Sequence, residues 1–146
     1  MESTIWEVLK AKYKPEVIAL ANRVAKDIRQ YSADAENSWE VSDVSDWTDE
    51  DLAVSFLVNR TEGEPIDITF RLLDAEAWDG TENGTSFSCD IVAESGRIVG
   101  GFHPYNYSDD CWVKPTDDSA VQERWELFRN ATDSDDIISL IECAGL

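Results

Sequence analysis

His103 is the only histidine in the chain, so any chemistry that needs an imidazole near neutral pH must run through it. Paired with Cys89 or Cys111, and with Asp109 or Asn106 orienting the ring, it would form a Cys/His nucleophile. The local spacing matches no nucleophile signature, and a lone histidine directly before Pro104 suits a surface position or a local hydrogen bond better. Zinc is a poor fit as well, because Cys89, His103 and Cys111 lack the short paired spacings of a zinc site. The Asp-rich runs lack the alternating oxygen ligands, glycine and terminal glutamate of a calcium loop. Gly100-Gly101 is followed by no Lys-Ser/Thr, so no phosphate loop is present. The 31 acidic residues offer many carboxylate pairs for glycoside hydrolysis, and that abundance removes the signal from any one pair. The expectation is a non-catalytic protein with no metal and no cofactor; a hydrolase built on His103 with a thiol or a carboxylate stands last among the alternatives.

Recognition is better supplied. Tyr105, Tyr107 and Trp112 alternate with polar groups around Asp109 and Asp110, combining large contact area with negative charge. A plainer role for Tyr107 and Trp112 is to seal a sheet edge. Further acids cluster at Asp46, Asp49, Glu50 and Asp51, and at Asp117 and Asp118, while Asp133 to Asp136 reads as helix capping with favourable dipole charge. These residues, Asp133 to Asp136 excepted, are the expected partner-binding set.

The elements that must carry them follow from hydrophobic periodicity. Ser3 or Thr4 caps a first helix through Ile5, Val8, Leu9 and Tyr13; Pro15 interrupts it and opens a second helix to Tyr31, with Val17, Leu20, Ala21, Val24, Ile28 and Tyr31 in one stripe. Arg23, Lys26 and Arg29 on its other face read as a solvated helix surface that partly neutralises an acidic body, with a nucleic-acid contact as the lesser alternative. After a polar linker over 32–38, a strand begins at Trp39 and Val41. Strict alternation then gives strands from Leu52 to Asn59 and from Ile66 to Leu72. A connector over 73–84 leads to a hairpin in which Phe87, Cys89 and Ile91 face one way and a Glu94-Ser95-Gly96 turn precedes the next strand. Gly100-Gly101 permits a bulge or a close backbone approach. Helices follow from Asp117 or Asp118 to Asn130, with Val121, Trp125 and Phe128 or Leu127 buried, and from Asp135 to Cys143. The expected fold is a single α+β domain over 1–146: two N-terminal helices (1–32), a roughly five-stranded antiparallel meander (33–116) and two C-terminal helices (117–146).

Length and charge bound the rest. A chain of 146 residues can bury roughly two-thirds of its unfolded surface without staples. Three cysteines with no close pair fit reduced thiols, and four Asn-x-Ser/Thr sites read as coincidence. No apolar run is long enough for a membrane span, and Met1-Glu2-Ser3-Thr4 lacks the features of a signal peptide, so a cytoplasmic protein is expected. Net charge is −19, and it is lopsided: six bases face four acids in residues 1–32, leaving six bases against 27 acids beyond. Spread evenly over a surface of roughly 7,500 Å², such charges would sit ~20 Å apart, beyond the ~8 Å Debye length, so only clustering produces a strong field.

Small acidic proteins of this size suit a basic partner, for instance a nuclease or another nucleic-acid-binding protein sequestered by an immunity protein, an antitoxin or a nucleic-acid mimic acting against restriction or CRISPR machinery. Direct nucleic-acid binding by the acidic body is not expected, and the protein would be a monomer or a homodimer. Two alternatives are an acidic chaperone for an extended client and a domain adapted to high salt, in which acidity serves solubility. The basic N-terminal segment argues mildly against the last.

Overall fold

A computed structural model describes residues 2–36, 39–48, 52–60, 63–72, 87–102 and 118–143; the side chains of 2–10, 101–102, 118–121, 123, 124 and 127 are not among the described features. One helix, α1 (Glu2–Asp34), is followed by strands β1 (Glu40–Val41), β2 (Ala53–Asn59), β3 (Ile66–Leu72), β4 (Phe87–Ala93) and β5 (Ile98–Phe102), then by helices α2 (Asp118–Ala131) and α3 (Ser134–Cys143). The strands form one antiparallel sheet in the order β1-β2-β3-β4-β5, a meander.

The two expected N-terminal helices are a single continuous one, with Pro15 inside it. Proline in a helix interior costs about 3 kcal/mol through its missing N–H and its clash with the preceding turn. What outweighs this is the stripe of Tyr13, Val17, Leu20, Ala21, Val24 and Ile28, which buries residues on both sides of Pro15 while the proline itself faces solvent. Breaking the helix there would pull Tyr13 from the core. Its ring lies 5.3 Å from that of Phe87 and 6.2 Å from that of Trp125, and its hydroxyl donates to Gln122 Oε1 at 3.0 Å. Burial of such a side chain contributes about 1.5–3 kcal/mol, each ring contact about 0.5–1.5 and the hydrogen bond about 1. The tertiary terms win. The helix also runs past the expected boundary: Ser32 is buried within it, and it ends where Glu36 adopts a left-handed φ of 57°.

All three helices lie on one face of the sheet. α1 packs on β1, β2 and β3, α2 on β4, and α3 on β5. The rows turned toward them are apolar: Val54, Phe70 and Cys89 are in register, as are Phe56, Ile68, Ile91 and Gly100. β1 is only two residues long. Beyond it the chain still follows β2, but serine hydroxyls replace half of the ladder: Ser42 N–H donates to Leu57 O while Leu57 N–H donates to Ser42 Oγ, and Ser45 and Ser55 repeat the exchange. Arg29 of α1 donates to Val41 O and Ser42 O and lies 3.7 Å from Asp43, so this base clasps the sheet edge in addition to offsetting charge.

The expected irregularity near Gly100-Gly101 takes a specific form. Ile91 pairs with Gly100 and Val92 with Ile98, so Val99 is the extra residue of a bulge. Gly100 meanwhile supplies room for α3, since a Cβ there would stand 2.8 Å from Leu140 Cδ1 and 3.4 Å from its Cδ2. Gly100→Val should therefore lower stability by about 1–3 kcal/mol, the usual cost of overpacking. Urea titration would read it, and Leu140→Ala should recover part of the loss in the double variant if this contact is the cause.

Candidate partner-binding surface

Four connections leave the sheet at two opposite ends. At one end the turns joining β2 to β3 and β4 to β5 carry Arg60, Glu62, Glu64, Glu94 and Arg97, close to balance. Arg60 is spent on structure, donating to Glu64 O and to Ile141 O. At the other end lie the residues that bound the remaining stretches. Leu52 O accepts from Leu72 N–H at 2.9 Å, Leu72 pairs with Phe87, and Phe102 pairs with Cys89 two positions along from Phe87. Gln122, one turn into α2, reaches the same region through Tyr13. Residues 49–51, 73–86 and 103–117 are thus joined to the fold at this end.

Leu52 has a φ of 53°, uncommon for a bulky residue, and is buried. Its left-handed backbone lets the chain emerge from 49–51, accept the Leu72 bond and enter β2 at once.

Of the residues expected to bind a partner, Asp46 is exposed beside β2, where it shares a shallow depression of about 270 Å³ with Ser45, Thr48, Ser55, Thr69 and Arg71. Asp118 opens α2. Asp49, Glu50, Asp51, Tyr105, Tyr107, Asp109, Asp110, Trp112 and Asp117 lie outside the described residues, as do His103, Asn106 and Cys111.

Cys89 is a core residue. Its thiol is fully buried, and burial, with Asp90 adding to it, pushes its pKa far up, the opposite of what a nucleophile needs. A thiol reagent should label the exposed Cys143 and spare Cys89 until the protein is unfolded, as peptide masses would show. The same shift has a pH consequence. Below the ordinary thiol value of 9.0 both folded and unfolded chains keep the proton. Above it only the unfolded chain ionises, so Cys89 should cost stability as pH rises, by up to about 1.4 kcal/mol per pH unit.

A groove of about 610 Å³ between α1 and the α2–α3 junction is lined by both signs of charge, among them Arg23, Asp27, Arg129 and Asp133. Several of its polar groups already serve the fold. Arg23 donates to Thr132 O, Ser134 Oγ to Asp27, and Asp133 Oδ1 accepts from Asp135 N–H as the cap of α3. Among the described residues, no group of three or more potential metal ligands converges, and no helix is long and apolar enough to cross a membrane.

Comparison of the chain with protein-family models, curated proteins and solved structures finds no match.

The sheet face opposite the helices completes the surface, and sequence patterning missed its main feature. Ser55, Thr69, Asp90 and Gly101 form one row; Ala53, Arg71 and Ser88 form the next, in which Ala53 and Ser88 are buried. The row nearer the balanced turns is Leu57, Asp67, Val92 and Ile98, and the two large apolar side chains exposed among the described residues, Leu57 at 41% and Ile98 at 78%, both belong to it. Asp67 is fixed there by Thr69, whose hydroxyl donates to Oδ1 at 2.6 Å.

Proposed function

We propose that this chain is a small acidic binding protein that captures a cationic protein, one whose own surface is built to hold nucleic acid. The observation that carries the reading is the common root of its acidic connections. Residues 49–51 are all acidic; 73–86 contain Asp74, Glu76, Asp79 and Glu82 with no base; 103–117 contain Asp109, Asp110 and Asp117 against Lys114. Ten carboxylates and one base are thereby tethered at Leu52, Leu72, Phe87 and Phe102 on four neighbouring strands, a span of about 15 Å at the usual inter-strand spacing.

Clustering on this scale distinguishes a partner-directed field from an even coat of charge. A cationic surface meeting it gains association rate, and acidic competitors are repelled. Salt adaptation gives no reason for one end of the sheet to be loaded and the other left near balance. The test is binding of cationic proteins to the wild-type chain and to a variant carrying Asp49→Asn, Asp51→Asn, Asp109→Asn and Asp110→Asn, at low and high salt. Salt-sensitive binding by the wild type, lost in a variant that melts at the same temperature, is the expected result. Equal binding by both would overturn the reading.

A further inference from the structure

We infer that the trough beside Leu57 and Val92 on the open sheet face is a second contact site for the same cationic partner, taking a large aliphatic or aromatic side chain flanked by lysine or arginine. This rests on the proposed function and adds where, and through what chemistry, the partner is anchored. The trough has a volume of about 490 Å³ and is lined by Leu57, Asn59, Pro65, Asp67, Val92 and Glu94, together with Ala93 and Gly96. Its floor is apolar and two carboxylates stand in its wall. Ile98, paired with Val92, extends the apolar strip toward the β5 edge.

The bulge at Val99 makes this exposure a built feature. Simple alternation from Gly100, which faces the helices, would turn Ile98 inward as well; the extra residue reverses its phase and presents it to solvent. Charge selects the occupant. A second copy docking by the same face around a two-fold axis would set Asp67 and Glu94 against their own equivalents, on a chain of net charge −19. A segment with lysine or arginine beside its apolar residue satisfies both floor and wall. Arg71, four positions along β3 from Asp67, pairs with Asp90 at 3.9 Å, while Thr69 donates to Asp67.

Two peptides test this by amide chemical-shift mapping of the full chain: an oligolysine, and a peptide of equal length and charge with leucine and tryptophan between its lysines. The mixed peptide should shift Leu57, Asp67, Val92 and Ile98, and Leu57→Ser with Ile98→Ser should weaken its binding about tenfold, the scale of one lost apolar contact, at unchanged melting temperature. Oligolysine should leave those four residues unmoved and bind in a way sensitive to the Asp49, Asp51, Asp109 and Asp110 replacements. If oligolysine binds the acidic end but the mixed peptide never shifts the trough, this inference fails and the proposed function stands. If neither peptide binds, both fall. Shifts at these four residues that depend on protein concentration alone would instead assign the trough to self-association and overturn the inference.

Discussion

Phe87→Ala should lower the stability of the protein by about 3–5 kcal/mol, the range for removing a large aromatic from a packed core. Phe87 is fully buried at the start of β4, and its ring lies 5.3 Å from Tyr13, 5.0 Å from Trp125 and 6.0 Å from Phe128, joining α1, the sheet and α2 in one cluster. The first two contacts are edge-on and the third is stacked, arrangements favoured by the ring quadrupoles. Trp125 depends on this packing, because its buried indole N–H has no hydrogen-bond partner among the described residues. At about 2–4 °C per kcal/mol for a chain of this length, melting should fall by roughly 6–20 °C. Leu57→Ala, on the open face, is the control and should change stability by no more than about 0.5 kcal/mol. A Phe87→Ala variant melting within a few degrees of wild type would mean that this cluster is not the joint between the layers.

The parts of the fold legible in the sequence are those where burial and local spacing agree. Phe87, Cys89 and Ile91, or Ile66, Ile68, Phe70 and Leu72, alternate because one sheet face is covered by helices, and a period of two has no other reading over such lengths. Pro15 misled because the rule against proline in a helix is local, whereas Tyr13, held by α2 and β4, is a tertiary fact. β1 was legible only as a beginning: the side-chain bonds of Ser42 and Ser45 that continue its path have no periodicity to detect.

The candidate surface divides in the same manner. Acidic clusters are visible as composition, yet the common end at which Leu52, Leu72, Phe87 and Phe102 lie depends on the meander. Ile98 was invisible for a sharper reason: a one-residue bulge reverses the face of what precedes it, and nothing in Ile98-Val-Gly-Gly-Phe102 announces which residue is extra. Leu57 could have been found as the bulky apolar residue in the outward phase of β2.

Neutralising the acidic end should reduce the association rate with a cationic partner by one to two orders of magnitude at low salt, within the range that electrostatic steering supplies. Dissociation should change far less. Charges act at a distance before contact is made, whereas the lifetime of a complex depends on the groups desolvated within it. Asp49→Asn, Asp51→Asn, Asp109→Asn and Asp110→Asn remove four of the ten carboxylates rooted there and leave every described core residue untouched. Raising the salt should bring wild type and variant together, because a Debye length of about 3 Å near 1 M screens the field that separates them. Replacing as many exposed acids elsewhere, at Asp27, Asp34, Glu36 and Asp43, makes the same change in net charge and should leave the rate within about twofold if it is the clustering that steers. Stopped-flow association at several salt concentrations distinguishes the two. Equal slowing by both sets would mean that the partner responds to total charge, and the acidic end would have no special claim on it.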